Sequence, residues 1–308
     1  MLKVAFRIDI SSETGTGHFS RMSVLAEVFV NLGCECRFFK SEDEPVDYSG
    51  FDIVVLDTYQ VNDAYIANLN APGRVIVCYD DNAVYSYNCD VILNANLHAG
   101  ELRFIFSGKS PHMLLGGKYA LLRSEFRDVP AITIKKTATR VFVCFGGSDI
   151  RNMTPYAVKT LREIKDIRLT VVLGSLTSCD SDVFALAGDS VAVHKTPEMI
   201  SRLMSECDIA VSSAGSMVYE LAALGIPTIT IVQADNQILI ADYLSRNSLM
   251  RCVGDWENTN LDELRREVES LLINNERREL ESYRLRRIVD RNGALNAARA
   301  ILGFYRNK

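Results

Sequence analysis

The chain lacks any long apolar run and any block of basic residues. No apolar stretch approaches the length that spans a bilayer, so we expect no stable membrane insertion. The formal net charge is −5, from 39 acidic and 34 basic residues. Because lysine and arginine are spread along the chain, we expect no nucleic-acid partner. The sequence begins Met-Leu-Lys and continues into a strand-like stretch, so we also expect no secretion signal.

Clustered metal-ligand spacings are absent as well. The eight cysteines form no Cys-x-x-Cys pair. Most of them lie in apolar, strand-like runs; they are Cys34, Cys36, Cys78, Cys89, Cys144, Cys179, Cys207 and Cys252. We interpret them as reduced packing residues of a cytoplasmic protein. We accordingly expect no obligatory metal and no cofactor.

Short apolar runs rich in β-branched residues alternate with amphipathic helical patterns over nearly the whole chain. Such runs are typical of parallel strands that are buried on both faces. The predicted strands are 4–10, 35–39, 53–57, 75–79, 91–94, 141–145, 169–173, 192–194, 209–212, 228–232 and 251–253. The predicted helices are 19–32, 155–164, 197–206, 216–224, 236–246 and 261–272. This alternation predicts an α/β fold of two Rossmann-like, doubly wound domains that face each other across a cleft.

The length of 308 residues is enough for about two domains. The boundary is predicted within residues 128–139, which have little helical periodicity. It separates an N-terminal domain, residues 1–130, from a C-terminal domain, residues 131–291. A last helical stretch, residues 292–305, is expected to pack back on the first domain. Sheets of this kind bind ligands beyond the carboxyl ends of their strands.

A glycine-containing loop joins the first predicted strand to the first helix. Gly15 and Gly17 permit close backbone approaches, and the N–H groups at a helix start attract anions. His18 follows on that helix, and histidine is the side chain suited to acid–base chemistry near neutral pH. The loop lacks the third glycine of a dinucleotide fingerprint and the Gly-Lys-Ser/Thr ending of a P-loop. These residues alone therefore fit either a ligand loop or a plain connection.

Polar or glycine residues follow other predicted strands at their carboxyl ends. Asp57 and Tyr59 lie where a site is expected. Asp80 and Asp81 either contribute to that site or cap the next element. Gly146-Gly147 follows a strand in the second domain, where backbone N–H groups can point at a ligand.

The most specific pattern begins after the strand 209–212. Ser213, Gly215 and Ser216 form a turn of small residues at a helix start, which can admit a diphosphate. Glu220, one turn on, can accept hydrogen bonds from ribose hydroxyls, or it is a solvated helix charge. A polar group at the next helix start can meet sugar hydroxyls; its members are Asp235, Asn236 and Gln237.

Several motifs occur in order over nearly the whole chain, and together they resemble the UDP-sugar hydrolases of the pseudaminic acid pathway. They are Phe6-Arg7-Ile8-Asp9-Ile10-Ser11, Gly15-Thr16-Gly17-His18 with Arg21, Leu114-Leu115-Gly116-Gly117-Lys118-Tyr119-Ala120-Leu121-Leu122-Arg123, Phe145-Gly146-Gly147-Ser148-Asp149 with Asn152, and Ala234-Asp235-Asn236-Gln237. The resemblance implies the glycosyltransferase-B architecture, with a sugar-binding, catalytic first domain and a UDP-binding second domain. It also implies cleavage of UDP-2,4-diacetamido-2,4,6-trideoxy-β-L-altrose to UDP and the free sugar.

The resemblance implies residue roles too. His18 corresponds to the family's base, which activates water for attack on the anomeric carbon with inversion. Tyr59 would position the sugar or the water, and Asp9 either holds the sugar or orients His18. Arg21 falls among the substrate-binding residues. One departure lies in the small-residue turn, where Met217 replaces a hydroxyl residue that relatives often carry.

Three other functions remain open from the sequence. A glycosyltransferase of the same architecture would use His18 to deprotonate an acceptor hydroxyl instead of water. A UDP-sugar 2-epimerase would need acid–base carboxylates around carbon 2 of the sugar. A non-catalytic module would bind a nucleotide sugar without turnover. UDP release in the absence of any acceptor distinguishes the hydrolase from the transferase. An epimerised product would reveal the epimerase, and binding without turnover of any UDP-sugar would support the binding module.

Overall fold

The computed structural model describes residues 1–9, 17–40, 43, 45–58, 62–83, 86–108 and 110–308. The chain divides into two compact units. The first contains Met1–Ser124 and Asp290–Lys308, and the second contains Glu125–Val289. Each unit is built on a parallel sheet of six strands. This architecture confirms the predicted α/β fold of two doubly wound sheets.

The strands of the first unit are β1 (Lys3–Ile8), β2 (Glu35–Lys40), β3 (Ile53–Asp57), β4 (Val75–Tyr79), β5 (Ser86–Tyr87), β6 (Val91–Asn94), β7 (Ile105–Phe106) and β8 (His112–Leu115). Those of the second unit are β9 (Arg140–Cys144), β10 (Arg168–Leu173), β11 (Val191–Lys195), β12 (Ile209–Ser213), β13 (Thr228–Val232) and β14 (Arg251–Asp255). The predicted strands match these within one or two residues over the described part of the chain.

The helices are α1 (Gly17–Asn31), α2 (Asp63–Leu69), α3 (Glu125–Asp128), α4 (Met153–Leu161), α5 (Asp180–Phe184), α6 (Ile200–Ser205), α7 (Met217–Leu224), α8 (Ile238–Arg246), α9 (Leu261–Ile273), α10 (Asn275–Ile288) and α11 (Gly293–Asn307). Helix α4 starts two residues before the predicted start, because the carboxylate of Asp149 accepts hydrogen bonds from the first free N–H groups. Helix α6 begins three residues later than predicted.

The strand order of the two sheets is the same in outline. The first sheet runs β2-β1-β3-β4-β6-β8, and the second runs β11-β10-β9-β12-β13-β14. In each, the chain winds outward from a central strand in one direction and then returns to wind in the other. The order therefore switches at the β1/β3 pair and at the β9/β12 pair. Ligand sites of doubly wound sheets form at the carboxyl ends of the strands at such a switch.

The first sheet is buried on both faces. Phe6 and Ile8 of β1 lie in one apolar cluster, together with Met22 and Phe29 of α1. Alternate strand residues, such as Ala5, belong to a second cluster on the opposite face. Because side chains of a strand alternate between faces, burial on both sides produces the continuous apolar runs seen in the sequence.

Helix α11 packs against α1 in the first unit. Its residues Ala294, Ala297 and Ile301 belong to the same cluster as the inner face of α1. The start of this helix lies against the backbone of Ala120. A Cβ on Gly293 would lie 2.3 Å from the Ala120 carbonyl oxygen. Only glycine fits at this start.

Candidate functional site

The carboxyl end of β3 carries a buried histidine–carboxylate pair. His18 lies on the first turn of α1, and its Nδ1 is 2.8 Å from Oδ1 of Asp57, the last residue of β3. His18 is 4% exposed and Asp57 is 1% exposed. β1 runs alongside β3 with Ile8 opposite Asp57, so the helix that follows β1 begins beside the end of β3.

The hydrogen-bond partner of Nδ1 indicates which ring nitrogen of His18 carries the proton. A carboxylate only accepts hydrogen bonds, so we assign the proton of the His18 ring to Nδ1, which donates to Asp57. The lone pair of the neutral ring is then on Nε2. An imidazole held in this way by a carboxylate is oriented as a general base.

Arg21 is bound to the same carboxylate. Its Nε and Nη2 lie 2.6 and 2.5 Å from the two oxygens of Asp57, which is the bidentate arrangement of a strong ion pair. Its guanidinium also lies 4.1 Å from the centre of the Tyr79 ring. Burial disfavours the charged form of Asp57, but Arg21 and His18 outweigh burial, and the pKa of Asp57 is lowered. Asp57 is therefore ionised at neutral pH.

Asp9 follows β1 and is buried in a neighbouring group. One oxygen accepts a hydrogen bond from Arg7 Nη1 at 3.0 Å, and the other accepts one from Thr58 Oγ1 at 2.7 Å. The carboxylate bonded to His18 Nδ1 is that of Asp57. The expected role of Asp9 in substrate binding or in orienting His18 remains a prediction.

The two carboxylates that follow β4 behave differently. Asp80 accepts hydrogen bonds from the backbone N–H groups of Asn82 and Ala83, so it caps a turn. Asp81 instead bonds side chains: its Oδ2 lies 2.7 Å from Arg21 Nη1, and its Oδ1 lies 3.0 Å from Asn96 Nδ2. A chain of hydrogen bonds thus connects Asn96, after β6, with His18.

Three of the predicted residues at this site have no described side-chain surroundings. Gly15 and Tyr59 lie outside the described residues. Gly17 is the first residue of α1, and its backbone alone is described. The structure brings His18 and Arg21 together with Asp57 and Asp81, which the sequence placed at strand ends.

In the second unit, a glycine loop follows the central strand β9. Gly146 has φ of +91°, a conformation that favours glycine. The loop packs directly on the end of β10, because a Cβ on Gly174 would lie 2.3 Å from the carbonyl oxygen of Gly147. A Cβ on Gly146 would lie 3.8 Å from Oγ of Ser213, at the end of β12. The predicted residues Gly146, Gly147 and Ser213 therefore meet at the β9/β12 switch.

A buried carboxylate ties this loop to the loop after β13. Asp149 is 1% exposed and accepts hydrogen bonds from the N–H groups of Met153 and Thr154 and from Gln233 Nε2 at 2.7 Å. The backbone N–H of Gln233 in turn donates to Oε1 of Gln237 at 2.9 Å. A Cβ on Gly215 would lie 3.3 Å from Nε2 of Gln237, so the predicted residues Gly215 and Gln237 are neighbours.

The remaining predicted residues of the second unit are at least partly accessible. Ser216 is exposed and precedes α7, while Glu220 is half-buried on the first turn of α7. Asp235 and Asn236 are exposed in a 3-10 turn that precedes α8. The first N–H groups of a helix lack partners within the helix, so the start of α7 can meet an anion.

The sequence marked Asp57 and Asp81 as candidates by their position at strand ends, but it did not predict their partners. It assigned no site role to Asn96 or to Asp149, although Asp149 follows the central strand β9. Asn96 offered no such signal, since its partner Asp81 is 15 residues away in sequence.

Within the part of the chain that the structure describes, no group of three or more His, Cys, Asp or Glu residues is placed to hold a metal ion. No described helix has both the length and the apolar character needed to cross a bilayer.

The chain is similar to several known proteins. Residues 141–291 match the C-terminal domain of glycosyltransferase family 28. This part of the chain is similar to that domain. It contains the Gly146-Gly147 loop, the Ser213–Ser216 turn and the group from Asp235 to Gln237.

Curated relatives extend the similarity over most of the chain. The UDP-2,4-diacetamido-2,4,6-trideoxy-beta-L-altropyranose hydrolase of Campylobacter jejuni is 26% identical over 270 residues, covering 80% of this chain and 97% of that protein. An uncharacterised protein of Methanocaldococcus jannaschii is 26% identical over 290 residues. The match covers 80% of this chain but only 59% of the Methanocaldococcus protein. The resemblance inferred from the sequence motifs is confirmed.

Solved structures support the architecture. The crystal structure of MurG from Acinetobacter baumannii superposes with a TM-score of 0.68, at 14% identity, over 98% of this chain and 99% of that one. At this identity the match shows the fold alone. The chain has the glycosyltransferase-B fold, as predicted.

Proposed function

We propose that the protein hydrolyses a UDP-linked 2,4-diacetamido-2,4,6-trideoxy sugar to UDP and the free sugar, in the biosynthesis of pseudaminic or a related nonulosonic acid. The observation that carries the proposal is the buried His18–Asp57 pair, with Nδ1 and Oδ1 2.8 Å apart at the carboxyl end of a central strand. The similarity to the Campylobacter jejuni hydrolase supports the choice of substrate.

The proposed reaction is a single displacement. Nε2 of His18 takes a proton from water while the water oxygen forms a bond to the anomeric carbon. The bond from that carbon to the diphosphate oxygen breaks, and UDP leaves with the electron pair. The configuration at the anomeric carbon inverts, and the imidazolium later releases its proton to solvent. The transition state has oxocarbenium character, as in other glycoside hydrolyses.

Asp57 has a defined part in this proposal. It keeps the proton on Nδ1, so that Nε2 is available as the base, and its charge stabilises the imidazolium as it forms. Arg21 fixes the carboxylate by its two hydrogen bonds. Tyr59 is proposed to position the sugar or the water. Asp9 is proposed either to hold the sugar or to orient His18.

We assign UDP to the second unit. The N–H groups of Gly146-Gly147 and of the α7 start, with Ser213, Gly215 and Ser216, would stabilise the leaving diphosphate. Glu220 would accept hydrogen bonds from the ribose hydroxyls, and Asp235, Asn236 and Gln237 would contact the sugar. The match to the glycosyltransferase family 28 domain supports a nucleotide-sugar ligand here.

The second candidate is a glycosyltransferase with the same UDP-sugar donor. It is favoured by the similarity of residues 141–291 to the glycosyltransferase family 28 domain and by the fold shared with MurG. In it, His18 would take the proton of an acceptor hydroxyl. The candidates differ in one measurable respect, because only the hydrolase releases UDP at full rate without an acceptor.

The test uses the His18→Asn variant and a panel of UDP-sugars without acceptor, with UDP followed by chromatography. The variant should lose about 10²–10⁴-fold in turnover while its affinity for UDP stays within about 3-fold. His194→Asn is the matched control, because His194 is half-buried on the edge strand β11 of the other unit. Turnover by His18→Asn within about 3-fold of wild type would exclude His18 as the base.

A further inference from the structure

Asp81 lies beside the His18–Asp57 pair but bonds neither residue in the contacts described above. Its Oδ2 accepts a hydrogen bond from Arg21 Nη1 at 2.7 Å, and its Oδ1 accepts one from Asn96 Nδ2 at 3.0 Å. The two partners come from α1 and from the loop after β6. Asp81 is thus held from two sides in one orientation.

The turn before it contributes to this orientation. Asp80 accepts the N–H groups of Asn82 at 3.0 Å and Ala83 at 2.9 Å, and Ala83 has a left-handed φ of +54°. A turn that is capped in this way has few alternative conformations. Asp81 therefore leaves the end of β4 in a fixed direction.

Arg21 is shared between two carboxylates. Nε and Nη2 bond Asp57, and Nη1 bonds Asp81. Burial disfavours the Arg21 cation, but Asp81 and Asp57 outweigh burial, and the pKa of Arg21 is raised. The cation is close to the base, since Nη2 is 3.3 Å from His18 Nδ1. An uncompensated cation at this distance would oppose protonation of the imidazole.

In the described part of the chain, charged and titratable groups from four segments surround this cluster. Arg21 is on α1, Asp57 ends β3, and Tyr79 ends β4 under the guanidinium. His98, in the segment after β6, lies close enough to Asp81 for the carboxylate to affect its pKa. Burial lowers the pKa of His98, which the nearby Asp81 only partly opposes. His98 is therefore neutral at neutral pH and leaves the compensation of Arg21 to the two carboxylates.

We propose that Asp81 is a positioning residue for the reaction proposed above. It holds Nη1 of Arg21, so that Nε and Nη2 stay aligned on the carboxylate of Asp57. Its charge also offsets that of Arg21, which lets the His18 imidazolium form during water attack. This inference rests on the proposed function for its kinetic consequences and on the described geometry for its electrostatic ones.

The kinetic test compares Asp81→Asn with Asn96→Ala. Asp81→Asn removes the charge, so the protonated form of the base becomes less stable. The acid limb of the kcat profile should then move to lower pH by about half a unit, and kcat should fall about 10-fold with KM within about 3-fold. Asn96→Ala removes an anchor and keeps the charge, so kcat should fall without a shift of the acid limb.

The control is Asp180→Asn, which removes a carboxylate paired with Lys195 at 2.7 Å in the other unit. It should leave both kcat and the acid limb unchanged. The proposal is overturned if Asp81→Asn leaves kcat and the acid limb at wild-type values, or if its whole effect is on KM, because Asp81 would then contact the substrate. If Asp81→Asn does not fold, Asn96→Ala decides, and an unchanged kcat overturns the proposal.

A substrate-free measurement separates this proposal from the proposed function. The ring signals of His18 are followed by NMR against pH in wild type and in Asp81→Asn. The variant should titrate at lower pH, whether or not the protein turns over any UDP-sugar. Wild type that releases no UDP refutes the proposed hydrolysis, whereas identical titrations refute the role of Asp81.

Discussion

The Asp57→Asn variant tests how the base is built. Asparagine has the shape of aspartate but no negative charge, and one of its two terminal atoms is a donor. In this site all three described partners of the carboxylate are donors, namely His18 Nδ1 and the Nε and Nη2 atoms of Arg21, at 2.5 to 2.8 Å. The amide NH₂ must therefore face another donor, or His18 must move its proton.

If His18 accepts from the amide at Nδ1, its proton moves to Nε2, and the atom needed as base is blocked. The imidazolium also loses its counter-charge. A general base contributes about 10²–10⁴-fold. We therefore expect kcat to fall by about that factor, which at 1.36 kcal/mol per tenfold is about 3–5 kcal/mol of transition-state stabilisation.

The assay is UDP release from the UDP-sugar without acceptor, with folding checked by thermal unfolding. Asp47→Asn is the matched control, since Asp47 is an exposed loop residue of the same unit that accepts a hydrogen bond from Ser49. Its kcat should equal that of wild type. A folded Asp57→Asn enzyme with kcat within about 5-fold of wild type would refute the assignment of Asp57.

Three further predictions concern the second unit. Gly174→Ala should weaken UDP binding and lower the free energy of unfolding by about 1–3 kcal/mol, because its Cβ would lie 2.3 Å from a backbone oxygen of the glycine loop. In Gly188→Ala the added Cβ would enter open space, so the UDP affinity measured by calorimetry and the stability measured by thermal unfolding should both stay unchanged. Arg278→Met should cost about 3–5 kcal/mol in urea unfolding, because a fully buried guanidinium bonds four backbone carbonyls, while the exposed Arg246→Met should cost little. Burial of Asp208 opposes its ionisation, but a hydrogen bond from Lys135 and two from backbone N–H groups outweigh burial and lower the pKa of Asp208. The contribution of Asp208 to the free energy of unfolding is therefore full above the unfolded pKa of about 3.9, and it is lost as pH falls through the lower folded pKa. Asp208→Asn should accordingly lower the free energy of unfolding by about 1–3 kcal/mol at pH 7 and by less near pH 3. An equal loss at both pH values would contradict that interpretation.

The sheets were largely predictable from the sequence because they are buried on both faces. A run such as Ile53–Asp57 or Val75–Tyr79 has no polar residue before its end, and its bounds were predicted without error. Strand β8 was not predicted, because it is an edge strand in which only Leu114 is buried, so it lacks the continuous buried apolar run of strands such as β3 and β4.

Helix α10 was missed for a different reason. Its buried face contains Arg278, Glu281 and Ser282 beside Leu285, so it shows almost no apolar periodicity. Arg278 is buried because its donors satisfy carbonyls at the end of α9 and at residues 135 and 136. A helix that is held by a buried polar side chain cannot be recognised from hydrophobic spacing.

The sequence predicted individual residues of the site but not the contacts between them. The positions of His18 and Asp57 after apolar strands marked both as candidates. Their contact depends on β3 lying next to β1, a strand order that the sequence alone does not give. The same holds for Asp81 and Asn96, which meet because β4 and β6 are neighbours.

The central claim is that His18 directs water at the anomeric carbon of a UDP-sugar. Its most direct test is NMR of the first sugar anomer formed from UDP-2,4-diacetamido-2,4,6-trideoxy-β-L-altrose without acceptor, recorded before mutarotation. The account predicts UDP release with the α anomer formed first. A β anomer formed first, or no UDP release until an acceptor alcohol is added, would contradict it.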